Sequence, residues 1–197
     1  VKTIVTTETI KTIAERNGVE MYDVYTGFKW IANVMRENEG KKNYIGGGEE
    51  SYGFLCEDFV RDKDAVSACV ILAEIAAWAK DQGLSLYQLL QKIYVEYGFS
   101  KEKGISVVKK GKSGAEEIEA MMKKFRENPL TEIAGSKVTY FYDYSTLKGK
   151  DYAENETVTL DMPTTSNVLQ YFTEDNTKVS IRPSGTEPKI KTYFTTL

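Results

Sequence analysis

The segment Ser180-Ile181-Arg182-Pro183-Ser184-Gly185-Thr186-Glu187-Pro188-Lys189-Ile190-Lys191 concentrates the groups that a phosphate requires. A phosphate is held by several short donors converging from a concave backbone, together with a cation that offers planar, paired N–H groups. Arg182 supplies such a fork, Ser184 and Thr186 supply hydroxyls, and Gly185 lets the backbone come close to a ligand. Pro183 and Pro188 pre-set the turn and reduce the entropy lost on ordering it. Lys189 and Lys191, two apart on a strand, share a face, where they serve either the anion or simply the solvent. The segment is therefore a candidate phosphate site.

A second loop, Gly46-Gly47-Gly48-Glu49-Glu50-Ser51-Tyr52-Gly53, sets adjacent carboxylates among four glycines. Such a sequence makes a mobile or tightly turned loop at a strand end. Ligands of open α/β sheets bind at the carboxyl ends of strands, and adjacent carboxylates accept hydrogen bonds from vicinal hydroxyls, which suits a sugar. An acidic solvent loop or a cation site is the alternative reading. The run Arg61-Asp62-Lys63-Asp64 precedes a long helix, where Asp62 or Asp64 serves as a cap. Lys63 is also a candidate acid or base, because a lysine held near a phosphosugar can have its pKa lowered.

Composition removes other chemistries. The 197 residues contain no histidine, which excludes Ser-His-Asp and Cys-His catalysis and histidine metal sites within the chain. The two cysteines, Cys56 and Cys69, form neither a disulfide framework nor a four-ligand zinc site, and a reducing, cytoplasmic setting is expected. Cys69 lies in the apolar run Ala68-Cys69-Val70-Ile71-Leu72 and is expected in the core. A net charge of -3 gives no global field for nucleic acid or an anionic membrane, so an anionic ligand needs a local positive site. No apolar stretch reaches the roughly 20 residues that span a bilayer. The opening Val1-Lys2-Thr3-Ile4-Val5 has no initiator Met and reads as a strand entered midway, so a longer parent chain is expected.

The elements that must position these loops follow from periodicity. Lys2 to Thr6 is an expected strand, Glu8 to Asn17 a helix ended by Gly18, and Val19 to Val24 a second strand. Thr26-Gly27 opens a helix to about Glu37, with Phe28, Ile31, Ala32 and Met35 on one face. Tyr44-Ile45 begins a third strand that runs into the glycine loop. Helices follow at Asp64 to Gln82 and, capped by Ser85, at Leu86 to Tyr97. This order describes an α/β layer with a mostly parallel sheet. Beyond Gly98 the order becomes α+β, with a strand at Ile105 to Lys109 and an amphipathic helix from Ala115 to Arg126 capped by Ser113, with Glu116 in its first turn. Strands are expected at Lys137 to Tyr144, Asn167 to Thr173, Lys178 to Arg182 and Lys189 to Thr195. The aromatic cluster Tyr140, Phe141, Tyr142 and Tyr144 reads as sheet packing, and Asp151 to Glu156 as a solvated loop. A domain boundary falls between Gly98 and Gly104, giving units of 1–98 and 99–197, and a hinge there would permit closure.

Gly48-Glu49-Glu50-Ser51-Tyr52-Gly53 and Arg182-Pro183-Ser184-Gly185-Thr186-Glu187-Pro188-Lys189 resemble signatures of the α-D-phosphohexomutases, the phosphoglucomutase/phosphomannomutase family. Thr26-Gly27-Phe28-Lys29 and Arg61-Asp62-Lys63-Asp64 resemble two further segments of that family, in the same order. The resemblance covers essentially the whole chain. It implies a partial α/β/α sandwich, most of the family's third domain, followed by a small α+β domain with an antiparallel sheet, the family's fourth. A strand and helix would precede Lys2, which leaves one sheet edge uncovered here. Glu49 and Ser51 would bind sugar hydroxyls and Thr26 would line the same pocket. Arg182, Ser184, Gly185, Thr186 and Lys191 would hold the phosphate that is not reacting, and Lys63 would assist proton transfer.

The resemblance also implies what is absent. The family's phosphoserine loop (Thr-Ala-Ser-His-Asn-Pro) and magnesium loop (Asp-Gly-Asp-x-Asp-Arg) do not occur in the sequence. Hexose 1-phosphate and hexose 6-phosphate would be interconverted by the parent enzyme through a bisphosphorylated sugar, with Mg2+ supporting the serine phosphate and glucose 1,6-bisphosphate as activator and intermediate. This chain would bind no magnesium, would partner the missing N-terminal domains and a small phosphosugar, and would not turn over alone. A stand-alone phosphosugar-binding module without catalysis is the alternative. A nucleic-acid binder built on Lys189 and Lys191 is disfavoured by the net charge.

Overall fold

In the first part of the chain, short parallel strands alternate with helices, as the apolar spacing predicts. The computed structural model describes residues 1–109, 111–185 and 187–196. The chain divides into two units, Val1–Ser100 and Lys101–Leu197.

The first unit runs β1 (Lys2–Thr3), α1 (Thr9–Arg16), β2 (Asp23–Val24), α2 (Phe28–Asn38), β3 (Gly46–Gly48), β4 (Phe54–Cys56), α3 (Ala65–Asp81) and α4 (Leu86–Tyr97). Its sheet has the order β2-β1-β3-β4; β1 is parallel to β2 and β3, and β4 returns antiparallel on β3. The strands are shorter than the apolar runs suggest. The backbone of Thr6 donates to the carbonyl of Thr3 at 2.9 Å and turns the chain out of the sheet after two paired residues. Phe28, Ile31 and Met35 come from one stripe of α2 and pack with Val24 and Leu55; Ala32, expected on that stripe, is only half-buried. Lys2 is fully buried, and its ammonium bridges Asp23 at 2.6 Å and Glu8 at 3.1 Å, tying β1 to β2 and to the start of α1.

Local signals end and start the helices where expected. Gly18 follows α1 with φ +66° and Gly83 follows α3 with φ +71°, conformations that favour glycine. Asp64 caps α3 by accepting from the amides of Val66 and Ser67, and Ser85 with Gln88 forms a reciprocal capping box on α4. Cys69 is exposed, contrary to its expected core position. The reason lies in α3 itself: apolar residues run all round the helix, and the short sheet covers one stripe only. Ala79 is its buried residue, while Val66, Val70, Leu72, Ile75 and Trp78 face outward with Cys69.

The second unit contains β5 (Lys101–Val108), α5 (Gly111–Glu127), β6 (Glu132–Ile133), β7 (Ser136–Asp143), β8 (Lys148–Asp151), β9 (Glu156–Thr159), β10 (Leu169–Thr173), β11 (Lys178–Pro183) and β12 (Lys189–Thr196). The sheet has the order β5-β12-β11-β10-β7-β8-β9, with β6 on β7, and its pairings are antiparallel. One face packs Val138, Phe141, Leu169, Tyr171, Val179, Ile181 and Ile190 against Ile118 and Met122 of α5.

Two expectations change here, and a third gains detail. β5 starts four residues before Ile105, because eight consecutive pairs with β12 order the charged Lys101–Lys103 stretch that carries no apolar alternation. Ser113 lies inside α5, which begins at Gly111, so it is not the cap and no acidic residue falls in the first turn. Asp151 to Glu156, expected as a solvated loop, is exposed from 152 to 156 and forms the turn of the β8–β9 hairpin. The Asp151 carboxylate accepts from the amides of Ala153 at 2.8 Å and Glu154 at 3.1 Å, and Asn155 takes the left-handed conformation at φ +55°. The tyrosine cluster is sheet packing, with the Tyr142 and Phe172 rings 5.0 Å apart on one face and Phe141 and Tyr171 4.9 Å apart on the other.

Candidate substrate-binding loops

In the first unit the glycine run is not a mobile loop: Gly46–Gly48 form β3 and the turn proper is Glu49–Gly53. Side chains have no room there. A Cβ on Gly47 would lie 2.9 Å from the Val1 carbonyl, and one on Gly48 would lie 2.9 Å from the Gly53 carbonyl. The amide of Glu49 donates to that same Gly53 carbonyl at 2.7 Å and closes the turn.

The two adjacent carboxylates are anchored in different directions. Glu49 Oε1 accepts from the backbone amide of Gly27 at 2.6 Å, where α2 begins. Glu50 Oε2 accepts from the Thr3 hydroxyl of β1 at 3.2 Å. A charge-assisted bond to an amide fixes a carboxylate strongly, so Glu49 presents its second oxygen, Oε2, in a defined direction. Around Gly53 three side chains converge. An added Cβ would meet Glu49 Oε2 at 3.2 Å, Lys63 Cδ at 3.5 Å and Phe28 Cδ2 at 3.5 Å. Lys63 is thus brought beside Glu49, but it is exposed, its ammonium 3.2 Å from Asp62 and 5.7 Å from the Phe28 ring centroid. Hydrogen bonding from the Lys63 amide and then its ammonium holds the Asp62 carboxyl below its usual range. Thr26 is half-buried immediately before Gly27, and Ser51 is exposed at the loop tip beside Tyr52, which is fully exposed with φ +66°.

In the second unit, β11 and β12 form a hairpin whose connection carries the Arg182 motif. Arg182 is paired directly with Lys191, and both are half-buried, so the register sets the two cations side by side on one face. The amide of Ser184 donates to the Lys189 carbonyl at 2.8 Å, and that of Lys189 to the Glu187 carbonyl at 2.7 Å, which folds the turn back on itself. The Lys109 amide donates to the Pro188 carbonyl at 2.9 Å and fastens the turn to the end of β5. Lys189 is ion-paired with Glu187, whose carboxyl its hydrogen bond holds below the usual range. Lys191 rather than Lys189 therefore stands beside the guanidinium. Gly185 is exposed, takes no left-handed conformation, and has nothing within 4 Å of an added Cβ. Neither the backbone conformation nor the packing of the turn therefore demands glycine there. Thr186 lies outside the described residues.

A buried polar row lies beneath Arg182. Tyr144 Oη donates to Gln170 Oε1 at 2.7 Å, and Gln170 Nε2 donates to Ser180 Oγ at 2.8 Å. Ser180 is fully buried and lies two residues before Arg182, on the same face of β11. The sequence signal was present in the alternation Ser180, Arg182, but the partners Gln170 and Tyr144 are set by strand register alone.

Among the described residues, no group of three or more His, Cys, Asp or Glu side chains is placed to hold a metal ion. Among the same residues, no helix is long and apolar enough to cross a membrane.

A mixed α/β unit followed in the chain by an antiparallel α+β unit matches the folds of phosphoglucomutase domains III and IV. The chain superposes on the crystal structure of the exocytosis-sensitive phosphoprotein pp63/parafusin (a phosphoglucomutase) from Paramecium, in its open form, with a TM-score of 0.64 and 19% identity, over 99% of this chain and 32% of that one. Residues 1–97 match the family described as phosphoglucomutase/phosphomannomutase, alpha/beta/alpha domain III. Phosphoglucomutase of Staphylococcus aureus (strain bovine RF122 / ET3-1) is 40% identical over 193 residues, 98% of this chain and 35% of that protein. That of Staphylococcus haemolyticus (strain JCSC1435) is 36% identical over 194 residues, again 98% and 35%. The chain belongs to the phosphoglucomutase/phosphomannomutase family. It spans about a third of the length of the curated relatives it matches.

Proposed function

We propose that this chain is the sugar- and distal-phosphate-binding part of a phosphohexomutase that interconverts hexose 1-phosphate and hexose 6-phosphate through a bisphosphorylated sugar. The observation that carries the reading is the pairing of Arg182 with Lys191 beside Gly185, whose missing side chain opens onto solvent. A phosphate approaching there meets a planar guanidinium, an ammonium, the Ser184 hydroxyl and backbone that no Cβ shields. In the first unit, Glu49 Oε2 accepts from a sugar hydroxyl while the Gly27 amide holds Oε1, with Ser51 and Thr26 contributing hydroxyls nearby. Lys63, beside Glu49 at Gly53, is the residue we assign to proton transfer at the sugar oxygen.

The phosphoryl-donating serine, the Mg2+ that supports it, and the use of glucose 1,6-bisphosphate belong to the N-terminal domains of the parent enzyme, in the cytoplasm. Alone, the chain binds phosphosugar and does not turn it over. Calorimetric titration of glucose 1-phosphate into the chain, without magnesium, tests the assignment. Arg182→Ala should lower affinity about tenfold or more, since a hydrogen-bonded ion pair contributes about 1.5–3 kcal/mol. Equal affinity in the variant would remove the phosphate from this turn.

A further inference from the structure

A cleft of about 620 Å3 on the first unit is lined by Lys29, Arg36, Arg61 and Lys63, together with Gly27 and Asp62. Four cations face it against a single lining carboxylate, in a chain whose net charge is -3. The excess is local. Asp62 is 3.2 Å from the Lys63 ammonium, and Arg61 is held by Glu39 at 2.6 Å. Arg36 is steered by a neutral group, its Nη2 donating to Asn33 Oδ1 at 2.6 Å, and the Lys29 ammonium sits 5.1 Å from the Trp30 ring centroid. Arg36 and Lys29 therefore keep their charge uncancelled by either acid. The two ion pairs that do exist are exposed, and such pairs contribute little, so an incoming dianion can replace them.

We propose that this cleft is an oxyanion site for a phosphate group, built entirely within the first unit and separate from the Arg182 turn. Two guanidinium forks, Arg36 and Arg61, match the paired oxygens of a tetrahedral oxyanion, while Lys29 and Lys63 add point charges. The walls place it next to Glu49. Gly27 both lines the cleft and donates to Glu49 Oε1, and Lys63 both lines the cleft and approaches Gly53 beside Glu49 Oε2. A phosphate held there belongs to a molecule whose hydroxyls can reach that carboxylate oxygen. The site does not depend on the phosphate role assigned to Arg182.

The test is a titration of the full chain with inorganic phosphate, at ionic strength matched with chloride, followed by backbone amide shifts. Saturable shifts are expected at residues 27–33 and 61–63, and they persist in Arg182→Ala. In Arg36→Ala combined with Arg61→Ala, affinity at these amides falls about tenfold or more, as expected for loss of two charge-assisted contacts. Unmoved amides of Ile118 and Met122 in α5 report an intact second unit, and retained shifts of Ile31 and Met35 in the apo spectrum report an intact α2. Lys29→Gln, which removes one charge without touching either ion pair, gives a smaller loss in the same direction. A response no different from chloride, shifts confined to the Arg182 turn, or undiminished affinity in the double variant would each overturn the site. Saturation in the cleft with no response at the turn would leave this site standing and remove the one assigned to Arg182.

Discussion

The two loops are held in place by different means. The Glu49 turn is fixed by its own side chains: one carboxylate is bound to the start of α2 and its neighbour to β1, over glycines that admit no Cβ. The Arg182 turn is fixed from beneath, by six register pairs between β11 and β12 and by the buried Tyr144–Gln170–Ser180 row. Its glycine is under no steric pressure. The first loop is thus sensitive to changes within it, and the second to changes in the sheet that carries it. Both arrangements pre-organise polar groups before a ligand arrives, which reduces the ordering cost of binding.

That contrast can be broken from the sheet side most strongly. Leu169 is fully buried in the second unit's core. Leu169→Ala should cost about 3 kcal/mol in chemical denaturation, and should weaken the Arg182 turn while leaving the first unit's amide spectrum in place. Gly48→Ala comes next, at about 2 kcal/mol, because the new methyl must displace backbone rather than a flexible side chain. Its effect belongs in the first unit, read as loss of hydrogen-exchange protection across β3 and β4.

Gly185→Ala sharpens the comparison by having little effect on folding. Its Cβ meets nothing within 4 Å, so the melting temperature stays put while phosphosugar affinity drops several-fold as the methyl shields the backbone. The smallest expected effect is a gain. Glu187→Gln releases Lys189 from its ion pair, and phosphate affinity measured by calorimetry should rise about two- to threefold. The pH dependence follows from the depressed Glu187 carboxyl. The pair is complete above the ordinary glutamate value of about 4.3 and is lost only as pH falls through the lower folded value. The wild-type chain should therefore differ from the variant at neutral pH and converge with it only in that acid range.

Much of this was legible because it is local. Gly18, Gly83, Asp64 and Ser85 act within one turn of their own helices, and the period of Phe28, Ile31 and Met35 needs no partner to be read. The loops themselves were legible from residue type. What escaped was set at long range. Glu49 meets the amide of Gly27, 22 residues away, and nothing in either segment encodes that bond. The charged start of β5 becomes a strand only because β12 lies alongside it. Cys69 looked buried because its neighbours are apolar, but in a helix apolar all round, composition does not say which side the sheet covers.

The most direct test of the central claim is a residue-resolved map of glucose 1-phosphate binding to the chain by amide shifts. Besides any shifts in the cleft of residues 27–33 and 61–63, the account predicts saturable shifts in two loop clusters, residues 48–53 with Gly27, and Arg182, Ser184 and Gly185 with Lys191, the second vanishing in Arg182→Ala. Saturable binding that moves neither cluster, or a second cluster unchanged in the variant, would contradict it.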